Sequence, residues 1–356
     1  MHYLDHNASA PLLPEARVAW LDAVERLWAN PDSPHTLGQR AAAALEGARR
    51  SVARLVGRAP RDVTFTSSAT EANAMALQGL RSEARPEVWV SAVEHPSALA
   101  WGTRRLGVDG EGRLDLDALA DALARDGARV AVLSVMAANN ETGVLQPVTE
   151  VARLARAHGV VFHCDLSQAP GRVPLPSEPD LITLSSHKLG GPRGAAALVG
   201  RPAPRPLLLG GAQERGRRAG TPDVPAIVGF GAACAALEGL SPMDPGPRDR
   251  LADAVVALGG RVLGGGADRL PNTVCALFPH PGDLIVAALD QLGVAASTGS
   301  ACASGAHKLS HVLAAMGVPG VPVRLSFGRV IAVEVVISAL TEALARLEET
   351  CASSSR

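Results

Sequence analysis

Lys188 is one of only two lysines in this chain, although lysine and arginine together number 34. It lies in "SSHKLGGPRG" (185–194), whereas Lys308 lies in "SGAHKLS" (304–310). Arginine stays protonated in proteins, but a desolvated lysine can lose its proton and attack a carbonyl carbon. Because almost every other basic residue of the chain is arginine, a lysine at position 188 indicates that an amine able to lose its proton is needed there. We predict that Lys188 forms a Schiff base, and we rank Lys308 below it because no strand precedes Lys308.

Cys302 is the second candidate nucleophile. The chain has 5 cysteines, and none of them forms a CxxC pair. Cys164, Cys234 and Cys275 lie in apolar surroundings, which favours buried thiols. Cys302 lies in "STGSACASG", where glycine and small residues are typical of a loop. Cys302 is therefore the cysteine that we expect to do chemistry.

Short apolar runs alternate with helical stretches and must position these side chains. The runs are "DVTFTS", "EVWVSA", "RVAVLSVM", "GVVFHCD", "DLITLSS" and "AAALVG", and amphipathic helices are predicted over 15–29 and 37–56. This alternation predicts a mainly parallel sheet with helices on both faces. A Pro- and Gly-rich segment at 240–249 marks a boundary. We predict an α/β chain with a large domain (13–239) and a smaller α/β domain (1–12 and 240–356).

Polar residues follow five consecutive strands of the predicted sheet. The segments after the strands are "SATEAN", "VEHPS", "AANNETG", "CDLSQ" and "SSHK". Ligands of such sheets bind beyond the carboxyl ends of the strands. These segments together supply hydroxyls, an imidazole, amides, an acid and an amine. This set of groups is what a phosphorylated, nitrogen-containing ring requires, and it predicts a pyridoxal phosphate site.

Motifs along nearly the whole chain resemble those of the cysteine desulfurases of the NifS/IscS kind. They are "YLDHNASAP", "NPDSPH", "FTSSATEAN", "EHPS", "NNETGVLQP", "HCDLSQAPG", "SSHKLGGPRG", "GGAQERGRRAGT", "TGSACASG", "SHVLAAMG" and "VRLSFGR", in the family's order. The resemblance implies the fold-type-I architecture of class V aminotransferases, with pyridoxal 5'-phosphate as cofactor. It also implies that L-cysteine is converted to L-alanine and that its sulfur passes to an acceptor protein.

The resemblance gives roles to four residues around the cofactor ring. Lys188 is the amine that holds the cofactor covalently, and Asp165 pairs with the pyridine nitrogen, which keeps that nitrogen protonated. Gln168 donates to the phenolic oxygen. His95 stacks on the ring, and whether it also moves protons stays open. The alternative for Asp165 is the N-cap of a helix over "SQAPG".

Five residues are predicted to hold the phosphate group. Ala69 and Thr70 open a helix, whose N–H groups and dipole attract an anion. Ser185 and His187 add side-chain donors. By resemblance, Thr221 reaches the phosphate of the neighbouring subunit, which implies a homodimer with composite sites.

The resemblance also assigns the substrate side of the site. The Cys302 thiolate attacks the sulfur of cofactor-bound L-cysteine and takes it as a persulfide. Arg324 binds the substrate carboxylate as a bidentate fork, with an interdomain salt bridge as its alternative role. Asn140 lies near the phenolic oxygen or the substrate carboxylate. Two departures stand beside the phosphate, because Ser68 and Ser186 occupy positions where the family commonly has glycine.

Charge and hydropathy exclude several other classes of function. The formal net charge of −1 gives no attraction to nucleic acid or an anionic membrane. No apolar stretch approaches the roughly 20 residues that span a bilayer, and no signal peptide is recognisable. His307 and His311 have metal-ligand spacing, but no third ligand is evident, so no metal site is predicted. We predict a cytoplasmic protein, consistent with unpaired cysteines in a reducing compartment.

Three alternative functions stay open from the sequence. A selenocysteine or cysteine lyase and a class V aminotransferase would keep this fold and cofactor, although Cys302 argues against the aminotransferase. A degenerate homologue could serve as a scaffold or regulator, but the retained reactive residues argue against it. The acceptor pathway also stays open among iron–sulfur clusters, thionucleosides, DNA phosphorothioation and sulfur-containing natural products.

Overall fold

The computed structural model of the chain describes residues 1–299 and 310–354, with side chains described as far as residue 350. The helices are α1 Pro14–Arg26, α2 Thr36–Leu55, α3 Ala69–Gly79, α4 Pro96–Leu99, α5 Leu116–Asp126, α6 Val148–Ala157, α7 Val224–Leu237, α8 Gly246–Ala257, α9 Gly282–Gln291, α10 His311–Ala315 and α11 Val333–Ser354. The strands are β1 His2–Tyr3, β2 Val63–Thr66, β3 Glu87–Ser91, β4 Arg104–Leu106, β5 Val130–Ser134, β6 Val161–Asp165, β7 Leu181–Ser185, β8 Ala196–Gly200, β9 Arg261–Val262, β10 Thr273–Leu277, β11 Val294–Ala295 and β12 Val323–Ser326.

A seven-stranded sheet with the order β2-β8-β7-β6-β5-β3-β4 forms the centre of the molecule. The strands from β4 to β7 pair in parallel, whereas β8 is antiparallel to both of its neighbours. Residues 186–195 are too few for the helical crossover that a parallel connection needs, which takes about a dozen residues or more. The predicted mainly parallel sheet is confirmed. The chain that turns back from β7 into β8 carries Lys188.

The predicted strands are apolar because the sheet is covered on both faces. All five residues of β5 and of β7 are buried, as expected for central parallel strands. The sequence did not predict β4, whose residues "RRL" lack an apolar run. It lies at the sheet edge, where charged side chains are well tolerated.

A hydrophobic cluster apart from that of the central sheet lies around the C-terminal third of the chain. A three-stranded antiparallel sheet, β12-β10-β9, packs there with α8, α9 and α11. Leu4 joins this cluster, and β1 pairs in parallel with β11. The predicted division into 13–239 and 1–12 with 240–356 stays a proposal. Among the described residues, no helix is both long and apolar enough to cross a membrane.

Candidate active site

A cavity of about 460 Å³ lies at the carboxyl ends of the central strands. Ten of the predicted site residues line it: Ala69, Thr70, His95, Asn140, Asp165, Gln168, Ser185, His187, Lys188 and Arg324. Thr221 is exposed and does not line the cavity of its own chain. Cys302 and Lys308 lie outside the described residues.

Lys188 ends a short turn directly after β7. Its Nζ donates to the backbone carbonyl of Asn7 at 2.7 Å. Gly190 follows with a φ of +83°, and a Cβ there would lie 2.6 Å from the Leu13 side chain. A residue other than glycine would therefore strain the turn and displace its neighbour. The glycine lets the chain reverse immediately after the amine and fixes Lys188 at the cavity wall.

Asp165 is the last residue of β6 and is mostly buried. Its Oδ2 accepts a hydrogen bond from Nδ2 of Asn73 at 2.9 Å, and its Oδ1 accepts one from the backbone N–H of Ser167 at 2.9 Å. No helix begins here, because the described chain from 166 to 180 contains none. The alternative role as a helix N-cap is therefore wrong. The carboxylate faces the cavity with one donor fixed on each oxygen.

His95 is the N-cap of α4 and bonds to Ser97, whose hydroxyl also accepts a hydrogen bond from Asn73. Its Nδ1 lies 2.8 Å from the Ser97 hydroxyl and accepts from the Ser97 backbone N–H at 3.2 Å. Burial lowers the pKa of His95. The negative charge of Asp165 opposes this shift, whereas the positive charges of Lys188 and His311 add to it. We therefore expect a neutral imidazole at the cavity.

The phosphate end of the predicted site begins at α3. Ser68 is the N-cap of this helix, and its hydroxyl accepts from the Glu71 backbone N–H at 3.2 Å. Glu71 in turn accepts from the Ser67 backbone N–H and hydroxyl, at 2.8 and 2.6 Å. These contacts form a capping arrangement that fixes the first turn of α3. The hydroxyl added at Ser68, compared with the family's glycine, is thus used by the helix.

His187 lines this end of the cavity, and Ser186 precedes it in the chain. Burial first, and then Lys188 and Arg193, lower the pKa of His187 to about 4. His187 Nδ1 lies 3.2 Å from the Ser9 hydroxyl. The Ser186 hydroxyl is buried without a partner among the described residues. It fits only because Gly191 has no side chain, since a Cβ there would lie 2.3 Å from the Ser186 oxygen.

Arg324 has only 1% of its surface exposed and is already bonded. Nη2 forms a salt bridge with Asp5 at 2.5 Å, and Nη1 donates to the carbonyls of Asn140 and Gly299, each at 2.9 Å. Nε has no partner among the described residues. This salt bridge lies within the predicted smaller domain (1–12 and 240–356), so it is not the interdomain salt bridge that was the alternative role for Arg324. Carboxylate binding stays a prediction, and it requires Arg324 to exchange one of these partners.

Asn7 was not given a role from the sequence, yet it connects several site residues. Its carbonyl accepts from Gln168 Nε2 at 2.9 Å as well as from Lys188. Its side chain donates to the Asn140 carbonyl at 3.2 Å and accepts from Arg172 at 2.9 Å. Arg172 also donates to Gln168 Oε1. The only signal for Asn7 in the sequence is its place in "YLDHNASAP".

Glu141 is a second residue that the sequence did not predict. It is buried, and its Oε2 accepts from the Ser310 hydroxyl at 2.6 Å. Burial raises the pKa of Glu141, although the Ser310 hydrogen bond and the charges of His311 and Arg324 oppose that shift. Gly299 and His311 both line the cavity. The described chain on either side of 300–309 therefore lies at the site.

Three cysteines among the residues with described side chains are buried. Cys164, Cys234 and Cys275 have no exposed surface, as the sequence predicted. Burial raises the pKa of Cys164 and Cys234, and it raises that of Cys275 to about 12. Because the thiolate is the reactive form, these three thiols are poor nucleophiles.

The sequence as a whole is similar to those of known proteins. The family model "Aminotransferase class-V" matches residues 2–336. A cysteine desulfurase of Cereibacter sphaeroides is 44% identical over 343 residues, which cover 89% of this chain and 87% of the relative. A cysteine desulfurase of Enterobacter agglomerans is 41% identical over 340 residues, or 89% and 84% of the two chains.

Solved structures share the fold. A NifS-like protein from Rickettsia africae has a TM-score of 0.88 and 29% identity, and the match covers 98% of this chain and 99% of that chain. DndA from Streptomyces lividans has a TM-score of 0.75 and 30% identity, with 90% and 97% covered. These neighbours confirm the predicted fold-type-I architecture.

Proposed function

The chain belongs to the aminotransferase class-V family, and within that family we propose that it works as a pyridoxal-phosphate-dependent cysteine desulfurase. It removes the sulfur of L-cysteine, releases L-alanine and passes the sulfur to an acceptor. The observation that carries this proposal is a single cavity lined by Lys188, Asp165 and His95, in a chain whose relatives named cysteine desulfurase match 89% of its length.

The residues of the cavity fit pyridoxal phosphate. An amine, a buried carboxylate and an imidazole follow three strands, and the first residues of α3 also line the cavity. The Asp165 carboxylate suits a protonated pyridine nitrogen, because each of its oxygens is already oriented by one N–H donor. The start of α3, with Ser185 and His187, suits the phosphate group. When bound, the cofactor withdraws electrons from the substrate carbon and so weakens its bonds.

The protein residues have separate tasks in this proposal. Lys188 holds the cofactor and takes and returns protons at the substrate carbon. Cys302 supplies the thiolate that attacks the substrate sulfur. The carbon–sulfur bond of L-cysteine breaks, a sulfur–sulfur bond forms on Cys302, and the carbon gains a proton to become alanine. Arg324 and Asn140 orient the substrate carboxylate.

We further propose a homodimer in which Thr221 completes the phosphate site of the partner subunit. The loop that carries Thr221 is anchored by Glu214, which forms a buried salt bridge with Arg49 at 2.7 Å. Large apolar side chains are exposed on this loop and on α1: 82% of Leu209 and 69% of Val18. Burial of such side chains against a second copy would remove apolar surface from water.

Two measurements on the purified protein test the proposed function. Borohydride reduction followed by peptide mass spectrometry is expected to attach the cofactor to Lys188. Incubation with L-cysteine is expected to add one sulfur atom to the Cys302 peptide and to release alanine. Lys188→Ala abolishes both results, whereas the matched variants Lys308→Ala and Cys351→Ser retain them.

Other outcomes would contradict the proposal. Cofactor attached to another side chain would remove the assigned role of Lys188. Full release of sulfide by Cys302→Ser, without sulfur on the protein, would instead show a lyase. Failure to bind pyridoxal phosphate at all would exclude both enzymes.

A further inference from the structure

Asn73 joins two residues of the proposed cofactor site that do not bond to each other directly. It lies on α3, is fully buried, and donates from Nδ2 to Asp165 Oδ2 at 2.9 Å and to the Ser97 hydroxyl at 3.0 Å. The Ser97 hydroxyl lies 2.8 Å from His95 Nδ1. A continuous path of hydrogen bonds therefore connects the carboxylate of Asp165 with the imidazole of His95.

The position of every proton on this path follows from the chemistry of the groups. The Asp165 carboxylate only accepts, so the amide of Asn73 must turn its NH₂ group toward it. The second N–H of Asn73 then points at the Ser97 oxygen, which leaves the Ser97 hydrogen free to point at His95 Nδ1. The Ser97 backbone N–H also points at Nδ1, and a backbone N–H cannot accept.

Nδ1 of His95 is thus an acceptor with two donors directed at it, and the proton of the neutral ring must lie on Nε2. A second proton on Nδ1 would face the N–H of Ser97. It would also require the Ser97 hydroxyl to turn away while Asn73 still donates to its oxygen. The network therefore opposes the imidazolium form of His95.

We propose that Asn73 is a positioning residue that, through Ser97, keeps His95 neutral with its proton on Nε2. His95 then acts toward the cofactor as a stacking surface and hydrogen-bond donor and does not act as a base. This inference rests on the proposed function, because it concerns how His95 serves that cofactor site. It also selects between the two roles of His95 that the sequence left open.

The burial of His95 is consistent with this assignment, because it lowers the pKa of the ring. Among the charged groups of the described residues, Asp165 favours a positive charge on the ring, whereas Lys188 and His311 disfavour one. The Asp165 carboxylate is itself stabilised by two N–H donors. Removal of Asn73 takes away one of these donors and also frees the Ser97 oxygen to accept a proton from Nδ1. Both changes favour protonation of His95.

The test uses the full chain labelled with ¹⁵N in its histidine rings, with and without pyridoxal phosphate. The chemical shifts of the ring nitrogens separate protonated from unprotonated atoms, and His95→Gln identifies the His95 signals. From about pH 8 to about pH 6, which brackets the ordinary histidine pKa of about 6.5, we expect Nδ1 of His95 to stay unprotonated. In Asn73→Leu, which is close in shape, we expect the proton affinity of His95 to rise about tenfold, or one pKa unit.

Ser97→Ala provides a second test if Asn73→Leu does not fold. In this variant the proton affinity of His95 should also rise. Ser167→Ala is the matched control, because Ser167 also neighbours Asp165 but its hydroxyl has no partner among the described residues. Its His95 signals should match those of the wild type. A proton on Nδ1 in the wild type, or wild-type signals in folded Asn73→Leu and Ser97→Ala, would overturn the inference. The cofactor-free measurement separates this result from any failure of the proposed function.

Discussion

Buried polar residues at and below the cavity form a network of hydrogen bonds. Asn7 uses its backbone N–H, its carbonyl and both ends of its side-chain amide. His163 lies two residues before Asp165 on β6, and its Nδ1 bonds to Ser134 and its Nε2 to Thr183, each at 2.9 Å. A single side chain in such a network has one favourable protonation state, which makes its titration a test of the structure.

His163 should make the stability of the protein depend on pH. Burial lowers the pKa of His163 to about 4, whereas an unfolded histidine titrates near 6.5. The unfolded chain therefore binds more protons between these values, and stability falls as the pH drops through this window. This one residue accounts for a loss on the order of 2 kcal/mol between pH 7 and pH 5.

Denaturant unfolding at the two pH values measures this loss. His163→Asn keeps a polar group on the strand without a titration in this range. The variant should be less stable at pH 7 but should lose about 2 kcal/mol less on acidification than the wild type. Equal losses in the two proteins would show that His163 does not titrate as its burial implies.

At the scale of elements, the loop before α7 is tied to the sheet through α2. Arg49 of α2 bonds Glu214 through both Nη atoms at 2.7 Å, and Glu214 also accepts from the Phe65 backbone N–H at 2.8 Å. Glu214 has a φ of 51°, which is uncommon for a residue other than glycine. The ion pair therefore holds the loop in a conformation that the backbone alone disfavours.

Arg49→Met should strongly destabilise the protein. The side chains of Arg49 and Glu214 are each only 3% exposed, so the substitution leaves a carboxylate buried without its partner. Such a loss costs about 3–5 kcal/mol. Arg54→Met is the matched control on the same helix, because its pair with Glu238 is exposed by 53% and 43% and should contribute at most about 1 kcal/mol. Similar midpoints of denaturant unfolding for the two variants would contradict this reading of the ion pair.

The sequence predicted those elements whose pattern is local. Buried strands such as β5 and β7 consist of apolar runs, and Lys188 could be placed because it directly follows one of them. β4 was missed because an edge strand needs no apolar run. Asn73 was missed for a different reason, since a helical asparagine has no distinguishing local pattern. Its role depends on contacts with Ser97, 24 positions later in the sequence, and with Asp165, 92 positions later. Only the folded chain creates these contacts.

At the scale of the whole molecule, the first residues of the chain connect the C-terminal hydrophobic cluster with the cavity at the central sheet. β1 pairs with β11, Leu4 packs in the C-terminal cluster, and Asp5 bonds Arg324. Asn7 then reaches Lys188 on the other side of the cavity. The cavity is therefore built by three distant parts of the sequence. Thr221, on a fourth part of the chain, is exposed and is proposed to serve the partner subunit.

Leu209→Glu should separate the proposed dimer into folded monomers. Leu209 is 82% exposed on the loop that carries Thr221, so a charge there disturbs little within one chain. In an apolar interface the same carboxylate would be desolvated without a partner, which disfavours association. We expect sedimentation to show the monomer, and cofactor affinity to fall because Thr221 no longer reaches its site.

Val330→Glu is the matched control, because Val330 is 93% exposed but lies far along the chain from this loop. A dimer that persists in Leu209→Glu with unchanged cofactor affinity would remove this loop from the interface, whereas separation by both variants would indicate a general effect of added charge.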